Sequence, residues 1–185
     1  MTATLVIGGA RSGKSAHAET MATASGKRMI YIATAQAGDA EMASRIAHHR
    51  RRRDTAWETM EEPLALGTAI TQWSRPDTVI LVDCLTVWLS NLLFSGQNDY
   101  PEVGPIVPPT AFTAERQSLL DAIADAGGDV ILVSNEVGMG VVPQGAISRW
   151  FVDEAGRLNQ AVAALCDRAV FVVAGLPIML KGQPC

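Results

Sequence analysis

The chain has 185 residues, 48% of them hydrophobic and 18% charged, with a formal net charge of −4. This is ordinary globular composition and enough chain for one domain with a sizeable core, which excludes a disordered or fibrous protein. A mildly acidic balance also excludes a general nucleic-acid binder, so the basic run Arg50–Arg53 is a local feature.

In chain order, short apolar runs alternate with amphipathic stretches. TLVIG (4–8) reads as a buried strand and residues 13–25 as a helix. RMIYIAT (28–34) is a second strand, and residues 39–52 are helical, with Met42 and Ile46 marking an apolar side. Pro63 suits the first turn of a helix that reaches Trp73. DTVILVD (77–83) is the third strand, followed by a helix over 85–94. Residues 95–109, SGQNDYPEVGPIVPP, contain four prolines and read as a flexible loop. Then come a helix over 111–126, the strand DVILVSN (129–135), a long helix over 145–166, the strand RAVFVVAG (168–175) and a short terminal strand, LPIMLK (176–181).

Apolar strands without alternation belong to a sheet covered on both faces. Strands alternating with helices form βαβ units, so the expected fold is a three-layer α/β domain spanning 1–185 around a mostly parallel central sheet. Ligands of such sheets sit beyond the carboxyl ends of the strands. The polar strand ends Gly8–Ser15, Thr34–Gln36, Asp83 and Ser134–Glu136 should gather there.

Cys84, Cys166 and Cys185 are scattered and form no CxxC pair, which fits reduced thiols in the cytoplasm. The opening residues MTATLVIGGARSGKS have neither a basic n-region nor a long apolar h-region, and no apolar run reaches the roughly 18 residues of a membrane span. A cytoplasmic protein without a membrane span is expected.

Gly8-Gly9-Ala10-Arg11-Ser12-Gly13-Lys14-Ser15 matches GxxxxGK[ST] between an expected strand and an expected helix, which is the context a P-loop requires. Its backbone N–H groups and the helix N-terminus would hold phosphate. Lys14 would reach the β- and γ-phosphates, and the Ser15 hydroxyl would bind Mg²⁺. Arg11 lies within the loop. His17, one turn into the helix, reads as a packed or exposed side chain. Asp83 ends an apolar strand, so it can hold the Mg²⁺ shell or cap the helix beginning at Leu85. The strand 129–135 ends in Asn135-Glu136, so the NKxD guanine motif of switch GTPases is absent there. The residues alone support nucleotide chemistry and leave the acceptor open, with a plain P-loop kinase of a small hydroxylated metabolite and a non-catalytic nucleotide-binding module among the readings.

The segments GGARSGKS, YIATAQ, DAEMASRIAHHRRRR, LVDCLTVWLSNLLF, VSNEVGMGVVP, AGRLNQ and VVAGLPIMLK occur in this order across essentially the whole chain. Together they resemble the bifunctional adenosylcobinamide kinase/adenosylcobinamide-phosphate guanylyltransferase family of cobalamin biosynthesis. The resemblance implies a P-loop NTPase fold and two reactions. A nucleoside triphosphate, ATP or GTP, phosphorylates the aminopropanol hydroxyl of the corrinoid adenosylcobinamide. GTP then gives GMP to that phosphate through a GMP-histidine intermediate. The histidine implied is the first of the pair, His48.

The chemistry suits the residues. A neutral imidazole can attack an α-phosphorus, and arginines can hold phosphate. On a helix, His48 and His49 point about 100° apart, so one of them is the nucleophile. Arg51 or Arg52, with His49 and Arg50, would line the guanosine path, although a solvated helix end is the plainer reading for part of this run. The family pattern also puts Ala33, Thr34 and Ala35 near the nucleotide and Glu61 on guanine N1 and N2, while Glu62 could cap the following helix. Gly138 and Gly140 serve either a mobile loop or a simple turn. A homo-oligomer, a trimer by the same resemblance, is expected.

Overall fold

The computed structural model describes residues 1–35, 56–96 and 99–183. Seven strands form one sheet: β1 (Ala3–Gly8), β2 (Arg28–Ala33), β3 (Trp57–Glu61), β4 (Thr78–Asp83), β5 (Asp129–Asn135), β6 (Arg168–Val173) and β7 (Leu176–Lys181). Their order is β3-β2-β4-β5-β1-β6-β7, with β1 to β6 parallel and β7 antiparallel to β6. Five helices are described: α1 (Lys14–Ala24), α2 (Leu66–Trp73), α3 (Leu85–Leu93), α4 (Ala111–Ala124) and α5 (Ala146–Leu165).

Side chains of a strand alternate between faces, and here both faces are apolar. Leu5, Ile80, Val82, Val130 and Leu132 join a core with Leu66, Ile70, Trp88, Leu119 and Leu158 from the four helices α2 to α5. Val6, Val79, Leu81, Ile131 and Val133 face the other way, against Ala18 and Ala22 of α1. Small residues on α1 let it lie close to the sheet. Trp88 is fully buried, and its indole N–H donates to Leu64 O at 2.8 Å. The mostly parallel α/β sheet with helices on both faces is as expected from the unalternated strands.

Three boundaries differ. Residues 57–61 form β3, where no strand was expected, because WETME carries two glutamates and lacks a run of branched side chains. The strand survives at the edge of the described sheet, where among the described strands it pairs with β2 alone, with three of its five residues exposed. Helix α2 begins at Leu66 rather than at Pro63. Glu62 Oε1 accepts the N–H groups of Leu64 (3.0 Å) and Ala65 (2.8 Å), which holds a side-chain-capped turn before the helix. β6 stops at Val173, because Ala174 and Gly175, both at positive φ, make a two-residue turn into β7. The expected helix over 39–52 lies outside the described residues, and those described within 95–109 form neither helix nor strand beyond the end of α3.

Candidate active site

The carboxyl ends of β1, β2, β4 and β5 lie side by side. Gly8 pairs with Asn135, Ala33 with Asp83, and Asp83 with Val133, while Glu136 N donates to Gly8 O at 3.0 Å. The loop Gly8–Ser15 leaves β1 at this edge. Ser12 N donates to Gly9 O at 3.2 Å, and the first helical bond of α1 is His17 N to Gly13 O at 3.0 Å. The N–H groups of Gly13, Lys14, Ser15 and Ala16 precede that bond, so the helix N-terminus presents them outward. Arg11 (φ 57°) and Gly13 (φ 95°) both lie in the left-handed region.

Lys14 is 8% exposed and its Nζ donates to Gly9 O at 3.0 Å. Burial pulls its ammonium below the ordinary lysine range, against the opposing pull of Cys84 and Asp83. A phosphate reaching the loop would find this cation folded over its own cradle.

Asp83 does not cap α3, whose N-cap is Cys84 with no side-chain cap bond. Its Oδ2 accepts the Tyr31 hydroxyl at 3.0 Å, and the Tyr31 ring meets Trp57 edge-on at 6.0 Å. The Asp83–Cys84 peptide is cis. Thr34, fully buried, uses one hydroxyl for both backbone groups of Cys84, accepting from its N at 2.9 Å and donating to its O at 2.8 Å. Asn91 on α3 donates to Thr34 O at 2.7 Å and Pro63 O at 3.1 Å, which fastens the end of β2 from above.

Thr86 Oγ1 accepts both N–H groups of Asn135, backbone at 3.0 Å and side chain at 2.9 Å. Its own hydrogen is then available to the Cys84 sulfur, 3.5 Å away. Burial pushes the Cys84 thiol up, with the Asp83 carboxylate adding to the effect. This network was missed in the sequence, although Thr86 and Asn91 carried a signal as polar residues, with Ser90, in the mostly apolar helix LTVWLSNLL.

The expected site residues Gly8, Gly9, Ala10, Arg11, Ser12, Gly13, Lys14, Ser15, Ala33, Thr34, Ala35 and Asp83 therefore share one edge of the sheet. Glu61 reaches the same edge by pairing with Ala33, and it is exposed there. His17 is half-buried. His48, His49, Arg50, Arg51 and Arg52 lie outside the described residues. Neither Gly138 nor Gly140 has positive φ, and Gly138 N donates to Glu136 Oε1 at 2.6 Å. A cleft of about 680 Å³ opens elsewhere: Ser74, Arg75 and Gly127 line it beside the amino ends of β4 and β5. It lacks the phosphate-binding backbone, so the strand-end edge is the better candidate despite its openness.

A parallel sheet with a glycine loop running from its β1 strand into α1, and a carboxylate two strands away, defines a P-loop NTPase fold. Solved structures agree on the fold alone: the flagellar accessory protein FlaH from Methanocaldococcus jannaschii (TM-score 0.51, 10% identity, 98% of this chain and 79% of that one) and an ATPase of the type III secretion system of pathogenic bacteria (TM-score 0.54, 11% identity, 96% and 56%). The chain belongs to the cobinamide kinase / cobinamide phosphate guanyltransferase family, whose model matches residues 4–180. It is 51% identical to the bifunctional adenosylcobalamin biosynthesis protein CobP of Pseudomonas aeruginosa, over 97% of this chain and 98% of that one. It is 44% identical to the protein of the same description, CobU, from Salmonella typhimurium, over 96% and 98%.

Proposed function

We propose that this single edge of the sheet carries out both reactions of the family in turn, within one catalytic domain spanning 1–185. In the first, ATP or GTP lies with its phosphates on Gly8–Ser15, and the γ-phosphoryl passes to the hydroxyl of adenosylcobinamide. In the second, His48 attacks the α-phosphorus of GTP. A P–N bond forms, the bond to the β-phosphate oxygen breaks, and pyrophosphate leaves. An oxygen of adenosylcobinamide phosphate then attacks the same phosphorus, the P–N bond breaks, and adenosylcobinamide-GDP is released with His48 restored. The observation that carries this reading is the buried Lys14, folded over the phosphate loop beside Asp83, in a chain of this family.

Each group has a role that its chemistry allows. Lys14 neutralises charge on the transferring and departing phosphates. Ser15 and Asp83 offer hard oxygen donors, with one Asp83 oxygen engaged by Tyr31, and this donor set suits Mg²⁺. Bound there, Mg²⁺ would screen the phosphate charge. Ala33, Thr34 and Ala35 flank the nucleotide, Glu61 reads guanine, and His49 with Arg50, Arg51 and Arg52 lines the guanosine path. Glu62 is engaged with the turn before α2, which favours Glu61 for the base. The protein acts as a homo-oligomer, a trimer by resemblance, in the cytoplasm. No described helix is long and apolar enough to cross a membrane.

The test is incubation with GTP labelled at the α-phosphate. The parent chain should acquire an acid-labile, base-stable label that His48→Ala loses while phosphorylation of adenosylcobinamide persists. Loss of label in His49→Ala instead would move the nucleophile by one residue. A folded parent chain that takes no label would leave a plain kinase.

A further inference from the structure

The β6–β7 turn lies against the phosphate loop. Gly175 N donates to Ser12 O at 2.8 Å. The Ser12 carbonyl and the Gly13 N–H belong to one planar, trans peptide, so they point in opposite directions. A bond that holds the carbonyl toward the turn therefore aims the Gly13 N–H away from it, as the first of the outward donors at the start of α1.

Two motif glycines are explained by the same neighbour. A Cβ on Gly13 would sit 3.2 Å from Gly175 Cα, and one on Gly8 would sit 2.4 Å from Val172 O. Their missing side chains make room for β6 and its turn as well as for phosphate. The Ser12 hydroxyl, buried without a partner among the described residues, lies 2.7 Å from that same Gly8 Cβ position.

The turn is itself held in place. Ala174 (φ 51°) and Gly175 (φ 77°) adopt the paired positive angles that a two-residue hairpin needs. Lys181, at the end of β7, donates to Ala163 O and Ala164 O at 2.9 and 3.0 Å, on the last turn of α5. β7 is exposed along almost its whole length, so it adds little to the core.

We infer that the Ala174–Gly175 turn sets the orientation of the phosphate-binding N–H groups, with Gly175 as a positioning residue for the nucleotide. This rests on the phosphate-site reading of the loop Gly8–Ser15.

The test uses inorganic tripolyphosphate with Mg²⁺ as the probe, bound to the full chain and followed by calorimetry. Gly175→Val places a β-branched residue where φ is positive and should displace the turn. Tripolyphosphate should bind about tenfold more weakly or worse, the scale of one hydrogen bond to a charged group. Gly175→Asn tolerates positive φ and should restore binding to within about threefold of the parent. Folded Gly175→Val that binds as the parent does, or Gly175→Asn that fails equally, would overturn the inference. Should Gly175→Val not fold, amide exchange in the parent decides. The Gly175 N–H should be protected and should become slower still with tripolyphosphate, whereas exchange at the rate of a free turn refutes the bond's role. A parent chain that binds no tripolyphosphate at all refutes the phosphate site itself, and the inference with it.

Discussion

One hydroxyl, that of Thr34, satisfies both the N–H and the C=O of Cys84, 50 residues further along the chain. It joins the end of β2 to the end of β4 at the point where Asp83 turns into the site. Thr34→Val keeps the shape and removes the hydroxyl, leaving the buried Cys84 N–H without its partner, while the Cys84 carbonyl keeps the Trp88 N–H at 3.1 Å. The expected loss is about 1–3 kcal/mol of folding stability, read from the urea midpoint, with weaker GTP binding. Thr34→Ser should stay within about 1 kcal/mol of the parent, since it keeps both bonds. Equal stability of Thr34→Val and the parent would show that the pair carries no weight.

Lys14 makes phosphate binding pH-dependent, with a definite sign. Burial lowers its affinity for a proton in the free protein, and a bound polyphosphate raises it again. Binding should therefore take up protons at a lower alkaline pH than it would with an ordinary lysine. Tripolyphosphate affinity should weaken with rising pH sooner than an unshifted lysine would allow. Calorimetry in two buffers of different ionisation enthalpy measures the uptake, and Lys14→Arg should abolish it.

The buried Cys166 thiol is pushed up to about 12, chiefly by burial, from an ordinary value of 9.0. The unfolded thiol ionises first as pH rises, so between these values the unfolded state holds fewer protons. Stability contributed by the neutral thiol is complete below about 9 and is lost toward 12, at up to about 1.4 kcal/mol per pH unit. Cys166→Ala should flatten the fall in urea midpoint between pH 9 and 10.5, measured under reducing conditions, relative to the parent. An unchanged slope would mean that Cys166 is not responsible.

Much of this was legible in the residues because it is local. The phosphate loop is eight consecutive residues, and the apolar runs of β1, β4 and β5 announce buried strands by composition alone. β3 was not legible, because Trp57–Glu61 is a strand through its pairing with β2 rather than through its own composition. The start of α2 depended on which acceptor the N–H groups of Leu64 and Ala65 would take, and Glu62 supplied it. Thr86 with Asn135, and Ser12 with Gly175, are contacts between distant parts of the chain. The AGL sequence at residues 174–176 marks a turn, but nothing in it names the loop it touches.

The position of β1 in the sheet also governs how the protein is made. Ala3 N reaches Asp167 Oδ2 across 164 residues, and β1 has both its neighbours only once β5 and β6 exist. A chain that emerges from the ribosome amino end first therefore exposes its phosphate loop long before the strands that shape it. Until Arg168 and the residues after it are available, one edge of the VIG strand stays unpaired and the turn that steadies Ser12 is absent. A nucleotide therefore meets the fully braced phosphate loop only on a chain that already has its β6–β7 hairpin.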